Sequence, residues 1–196
     1  DDDIIIRIDS VPFETRLTIY SEADQDIVDA LGSPLEVKVY GGKGSDAIYG
    51  SEFDDLLDGG SGDNLIIGNL GVDIIGGEDG DDIVIGDNGY VHGENGSRLT
   101  PRNWPQSAEV VATPSPGQIY YGDSIDVGDG DNLLIGGAGP DHIIAGIGTN
   151  TILGDEGRVM FDALGNMVLA ESTNSLIGSK DIFSLGSGIY RVIAGA

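Results

Sequence analysis

A period of nine residues governs this chain, and so short a period restricts what it can fold into. No single repeat can bury its apolar residue alone, so neighbouring repeats must stack. Consecutive rows run GGKGSDAIY from Gly41, GSEFDDLLD from Gly50, GGSGDNLII from Gly59, GNLGVDIIG from Gly68 and GEDGDDIVI from Gly77. A second block in the same grammar runs QIYYGDSID from Gln118, VGDGDNLLI from Val127, GGAGPDHII from Gly136 and AGIGTNTIL from Ala145. Glycine occupies mainly the first, second and fourth places, Asp or Asn the sixth, and an aliphatic residue the eighth.

Weaker rows extend the pattern upstream through Leu17/Ile19, Asp26/Val28 and Val37/Val39, and downstream through Asp181/Phe183 and Tyr190/Val192. The chain therefore divides into degenerate rows at 1–40, a repeat block at 41–92, an insertion at 93–117, a second block at 118–156, a second insertion at 157–172 and degenerate rows at 173–196. The first insertion holds Pro101, Pro105, Pro114, Pro116 and the single tryptophan, Trp104, and reads as an irregular loop. The second alternates apolar residues around Leu164-Gly165-Asn166 and reads as a β-hairpin. Similar row starts precede the two insertions, Gly86-Asp87-Asn88-Gly89 and Gly154-Asp155-Glu156-Gly157, which suggests a larger duplicated unit.

Glycine permits the positive φ of a sharp turn, and three residues of strand follow each turn. Alternation then sends the eighth residue inward, so Ile48, Leu57, Ile66, Ile75, Val84, Leu134, Ile143 and Ile152 form a thin core with two rows to each coil. Rows two apart stack at about 4.8 Å, which brings sixth-place carboxylates together. Two such charges about 5 Å apart repel by roughly 3 kcal/mol at an effective dielectric of 20. Only 9 Lys plus Arg stand against 34 Asp plus Glu, a net charge of −25, so basic side chains cannot neutralise the ladder. Ca²⁺ can, since it takes six to eight oxygens from carboxylates and main-chain carbonyls, whereas Mg²⁺ demands strict octahedral geometry. The best pairings are Asp46 with Asn64, Asn64 with Asp82, Asp55 with Asp73, and Asp123 with Asp141.

Gly-Gly-x-Gly-x-Asp-x-aliphatic-x, matched in tandem over rows 41 to 86 and 118 to 156, closely resembles the RTX (repeats-in-toxin) nonapeptide. The resemblance implies an all-β fold, a right-handed parallel β-roll or β-helix solenoid that folds on contact with calcium, and export from a bacterium to the cell surface or medium. It further implies ligands of two kinds. Sixth-place side chains are Asp26, Asp46, Asp55, Asn64, Asp73, Asp82, Asp123, Asn132, Asp141, Asn150 and Asp181. Turn carbonyls come from rows marked by Gly42, Gly44, Gly60, Gly62, Gly71, Gly80, Gly137 and Gly139. Sites are expected to be weaker or absent where the sixth place is Val37, Val91 or Tyr190, or is Asn64, Asn132 or Asn150; Asn132 above Asn150 predicts a metal-free amide ladder.

The same residues exclude several functions. The acidity excludes unaided nucleic-acid binding, no run of about 18 apolar residues provides a membrane span, and the absence of cysteine excludes disulfides and thiolate sites. No HExxH or GxSxG motif is present, His92 and His142 lie in different rows, and the carboxylates are explained as cation ligands, so no catalysis is expected. About seventeen rows in about eight coils give a length of roughly 40 Å. Outward-facing Ala47, Tyr49, Leu65, Ile67, Ile83 and Ile85 form an apolar stripe, which calls for a partner or for cover by one of the insertions. Ala194-Gly195-Ala196 read into Asp1-Asp2-Asp3-Ile4-Ile5-Ile6 makes one more row, with Asp3 sixth and Ile5 eighth, and so predicts end-to-end stacking. The expectation is a calcium-binding structural building block of an extracellular fibre, surface layer or giant adhesin, self-associating end to end or through the apolar face. The alternatives are an accessory module of a secreted enzyme or toxin, and a carbohydrate-binding adhesin segment using Arg98, Arg102 and Trp104.

Overall fold

The computed structural model describes residues 3–5, 16–93, 108–113, 120–173 and 179–195. Arg98, Arg102 and Trp104 lie outside these residues, so the glycan-binding expectation falls on a segment outside the description. Every regular element is a strand. One parallel sheet stacks β1 (Asp3–Ile5), β3 (Ile27–Asp29), β5 (Ala47–Tyr49), β7 (Leu65–Ile67), β9 (Ile83–Ile85), β13 (Leu133–Ile135), β15 (Thr149–Leu153) and β19 (Ile189–Ile193) in that order. A second parallel sheet stacks β2 (Leu17–Tyr20), β4 (Val37–Tyr40), β6 (Leu56–Asp58), β8 (Ile74–Glu78), β12 (Ser124–Val127), β14 (His142–Ala145) and β18 (Ile182–Leu185). Successive strands alternate between the two sheets, so two rows make one coil and the chain is a β-roll solenoid. Among the described residues no helix is long and apolar enough to cross a membrane.

Inward residues from both sheets meet in one core. Ile48, Leu57, Ile66, Val84, Leu134, Ile143 and Ile152 are fully buried and Ile75 nearly so, and Ile125 joins them from β12. The glycine places are needed where turns touch. Gly44 has φ of +131°, and a Cβ there would collide with the Asp24 carbonyl of the preceding coil. The left-handed conformation persists where glycine is absent: Glu22 and Asp24 have φ of 71° and 86°, which explains how the degenerate first coil still turns.

The insertions leave the stacking order intact, and the register shifts once, between Asp126 and Val127 where β12 pairs with β8. Ile74 pairs with Ser124 and Ile83 with Leu133, each 50 residues on, where Leu56 pairs with Ile74 only 18 residues on. Lengthening a closed loop from 18 to 50 residues costs only about 0.9 kcal/mol.

A third sheet is antiparallel, in the order β10 (Gly89–Gly93), β11 (Ala108–Ala112), β16 (Gly157–Phe161) and β17 (Met167–Ser172). The hairpin expected at 157–172 is β16 and β17. Two expectations need correction. Residues 108–112 of the supposed irregular loop are a strand pairing with both β10 and β16. Val91 is no sixth-place residue of a solenoid row, because β10 has already left the roll. Its alternation suits either sheet, and the antiparallel partner decides. The roll accordingly has fifteen strands among the described residues, against the seventeen rows expected.

The third sheet resolves the apolar stripe. Ala47, Tyr49, Leu65, Ile67, Ile83, Ile85, Leu133, Ile135 and Leu153 pack with Val91, Ala108, Val110, Ala112 and Val159 in a second core. Every residue of β5, β7, β9 and β13 is buried on both faces. Of the two alternatives, a partner or cover by an insertion, the described residues show the second: strands of both insertions cover the face. Gly89 and Gly157 permit the approach, since a Cβ on Gly89 would meet Val111 O at 2.6 Å and Ile85 Cδ1 at 2.8 Å. Arg158 stitches the cover together through Glu109 on β11 at 3.6 Å and Glu171 on β17 at 2.6 Å.

Candidate metal centres

The sixth-place residues of the ladders are buried, Asp181 partly so, and they stand at the two turn corners of the roll. Along the sheet containing β5, each sixth-place N–H donates to the side-chain Oδ1 one coil on: Asp26 to Asp46 at 2.8 Å, Asp46 to Asn64 at 3.0 Å, Asn64 to Asp82 at 2.9 Å, Asp82 to Asn132 at 2.9 Å and Asn132 to Asn150 at 3.1 Å. At the opposite corner Val37 donates to Asp55 at 2.7 Å, Asp55 to Asp73 at 2.8 Å, Asp73 to Asp123 at 2.8 Å, Asp123 to Asp141 at 2.8 Å and Asp141 to Asp181 at 3.0 Å. All four pairings expected from the spacing are rungs of these ladders. The first ladder mixes Asp with Asn; in the second every rung after Val37 is Asp.

One carboxylate oxygen per rung is thus satisfied, and the other turns inward to its own glycine turn. Oδ2 of Asp46, Asp73, Asp82, Asp123, Asp141 and Asp181 is buried and accepts no hydrogen bond. A Cβ on Gly41 would sit 2.5 Å from both Asp46 Oδ2 and the Gly59 carbonyl oxygen, so only glycine leaves room for these atoms. Gly68, Gly86, Gly136 and Gly154 stand in the same relation to Asp73, Asp123, Asp141 and Asp181.

The asparagine rungs reveal what this space accepts. Asn64 Nδ2 donates to Gly60 O at 3.0 Å and to Gly62 O at 2.8 Å. Asn132 Nδ2 reaches Gly130 O at 3.3 Å, and it also donates to Asn150 Oδ1 at 2.9 Å, the amide ladder expected. By the equivalence of rows, Oδ2 of an aspartate occupies the place of that amide nitrogen. An acceptor then faces acceptors, and a bound cation is the group that reconciles them. The ion pairs described, Arg16 with Glu36 and Arg158 with Glu109 and Glu171, reach no ladder carboxylate.

Asp55 is the exception among the aspartates. Ser51 N–H donates to its Oδ2 at 2.5 Å and Ser51 Oγ to its Oδ1 at 2.9 Å, so protein donors fill that place. Nothing in the nonapeptide grammar marks this, because Ser51 stands at a glycine position. Among the described residues no three His, Asp or Glu side chains converge as a metal cluster, which leaves main-chain oxygens to complete each seat.

Electrostatics agree. Burial first, then the charge of Asp123, pushes Asp73 up to about 9. Burial, reinforced by the charges of Asp123, Asp181 and Asp87, pushes Asp141 up to about 9. Burial likewise lifts Asp82 and Asp123 to about 7 and Asp46 to about 6. A nearby cation would favour the charged form of each of these carboxylates and so oppose the rise caused by burial.

A family profile of the RTX calcium-binding nonapeptide repeat, in four copies, matches residues 40–75, 58–90 and 126–158. No curated protein and no solved structure matches the chain. The matched stretches contain the rungs of Asp46, Asp55, Asn64, Asp73, Asp82, Asn132, Asp141 and Asn150, while Asp26, Asp123 and Asp181 lie outside them, and repeats of this kind bind Ca²⁺. This chain carries RTX calcium-binding nonapeptide repeats wound into a β-roll.

Proposed function

We propose that the chain is a calcium-folded structural module, a rigid building block of an extracellular bacterial fibre, surface layer or giant adhesin, without catalytic chemistry. The observation that carries the calcium-dependent part is the row of buried Oδ2 atoms without donors. In this reading Asp46 and Asp82 hold Ca²⁺ at one corner, with turn carbonyls from the rows of Gly42, Gly44, Gly60, Gly62 and Gly80. Asp73, Asp123, Asp141 and Asp181 hold it at the other, with the rows of Gly71, Gly137 and Gly139. Asn64, Asn132 and Asn150 substitute an amide for the ion, and Ser51 does so for Asp55. Ions that bind only the folded roll stabilise it by RT ln(1 + [L]/Kd) per site. Placement outside the cell is supported by the occurrence of such repeats in secreted bacterial proteins.

End-to-end stacking is the mode of self-association we retain. Ile182, Leu185, Ile189 and Val192 are exposed on β18 and β19, the outermost strands of the two sheets among the described residues. A second reading, an accessory module of a secreted enzyme or toxin, is favoured by the third sheet, which removes the apolar side face from use. Calcium titration followed by circular dichroism, with sedimentation of the same samples, tests both. A coil-to-β transition with growing assemblies supports the building block, the transition with monomers alone supports the accessory module, and β-structure indifferent to chelator removes the calcium basis of both.

A further inference from the structure

The third sheet and the roll do not close on each other everywhere. Between the β16–β17 hairpin and strands β9, β13, β15 and β19 lies a groove of about 560 Å³. Strand register gives it a direction. Ile83, Leu133, Thr151 and Arg191 follow one another on consecutive rungs of the roll, each lining the groove. The fifth places of the same rungs run Asp81, Asp131, Thr149 and Ile189, and they line it too. The groove is therefore acidic at one end, carries threonine hydroxyls in the middle and is basic at the other end, while the hairpin contributes Phe161 and Met167. The nonapeptide grammar leaves its fifth and seventh places free, so this change of sign is a property of these particular rows and not of the repeat.

We propose that this groove binds an elongated zwitterion, a lysine-type chain whose ammonium group meets Asp81 and Asp131 and whose carboxylate meets Arg191. Both acids are exposed and held in place through one oxygen: Asp131 N–H donates to Asp81 Oδ1 at 2.8 Å, and Thr149 N–H donates to Asp131 Oδ1 at 2.7 Å. Among the described residues no basic side chain pairs with either. Arg191 Nη1 donates to Met167 Sδ at 2.8 Å, which steadies the guanidinium and leaves it further N–H donors in a fork that suits a carboxylate. The rungs of Asp131 and Arg191 are two strand spacings apart, about 9.5 Å. That is the reach of a lysine side chain with its own carboxylate and a hydrogen bond at each end. Leu133, Phe161 and Met167 offer apolar surface to the methylenes between. A few placed polar groups on an otherwise apolar lining fix the orientation of a small ligand. A ligand with positive charge alone leaves Arg191 facing a like charge, so the bipolar ligand is the one that satisfies both ends.

Titration calorimetry of the full chain in saturating calcium, with 6-aminohexanoate as the probe, tests this. The probe should bind saturably, one molecule per chain. Hexylamine and hexanoate, which each lack one charged end, should bind about tenfold more weakly or worse. Arg191→Gln and Asp131→Asn should each weaken the probe about tenfold or more while the β-signal in circular dichroism stays that of the wild type. Asparagine keeps an Oδ1 acceptor for the Thr149 N–H, and if Asp131→Asn still fails to fold, Asp81→Asn makes the same test. Free lysine and a peptide with a C-terminal lysine share this chemistry, and the tighter binder of the two identifies the source. The C-terminal amide of that peptide should bind no better than hexylamine. Absence of saturable binding by the probe, equal binding of hexylamine, or wild-type affinity in folded Arg191→Gln overturns the proposal. The last two results would mark a plain cation site instead.

Discussion

The two corners of the roll solve one electrostatic problem in different ways. At the corner of Asp46, Asn64, Asp82, Asn132 and Asn150, every row keeps its fourth-place glycine, from Gly44 to Gly148, and asparagine replaces aspartate at three rungs. At the opposite corner every rung after Val37 is an aspartate, Asp55, Asp73, Asp123, Asp141 and Asp181, and the turns depart from the pattern through Ser51, Phe53 and Asn69. The first corner supplies its own positive end, an amide N–H₂ aimed at carbonyls. The second has no such amide, and two of its carboxylates, Asp73 and Asp141, are pushed up to about 9, against about 7 at its own Asp123 and at Asp82. On the proposed reading, calcium dependence is concentrated at the corner that is richer in acids.

Chelation should have the largest effect. At pH 8 removal of calcium is expected to abolish the roll, read as loss of β-signal in circular dichroism. Protons should partly replace the ions. The folded-state values of Asp73, Asp82, Asp123 and Asp141, about 7 to 9, lie above the free-chain value of 3.8, so folding without metal takes up protons. Their contribution is complete below about 3.8 and is lost as pH rises through 7 to 9. The chelated chain should thus regain β-structure near pH 5 and lose it again on return to pH 8; equal stability at both values would contradict the burial argument.

Interconverting the corners comes next. Asn64→Asp removes an amide that donates to two carbonyls and adds a buried charge, and should destabilise the chelated protein at pH 8 by about 3–5 kcal/mol. Saturating calcium should restore most of that, measured by urea unfolding at each condition. The reverse change, Asp123→Asn, should lower the bound calcium count and make the aspartate-rich corner less sensitive to chelator. A smaller effect is expected from Val110→Ala in the third sheet, about 1–2 kcal/mol from lost burial, with the calcium count unaltered. Smallest is Ser51→Ala, about 1 kcal/mol for the lost hydroxyl bond to Asp55. If Ser51→Ala also raises the calcium count, Asp55 has become a seat like its neighbours, which sharpens the contrast between the corners.

Much of this was legible in the amino acids. Ile48 to Ile152 appear in the core because stacked rows bury the eighth place whatever fills the turns, and the ladder pairings follow from rows two apart. The Asn132–Asn150 amide bond was legible for the same reason. The third sheet was not, because Val91 and Val110 alternate as any strand does, and residues far apart in sequence choose their antiparallel partners. Ser51 and Arg191 escaped for a different reason. They stand at positions that the repeat reserves for glycine or leaves free, so a reading tuned to the sixth place passes over them.

A column of near-identical coils has one intrinsic weakness: a slip by a whole coil preserves almost every inward contact and every turn. The third sheet closes that degeneracy. The insertions depart after β9 and β15, with β13 between them, a separation of two strand spacings or about 9.5 Å. In the third sheet β10 and β16 are likewise separated by one strand, β11. The two spans agree only when one rung lies between the departures, so a misthreaded roll would find its lid too narrow or too wide. The lid acts as a gauge of coil number, giving an otherwise translationally repetitive scaffold a single correct alignment under strain or during assembly.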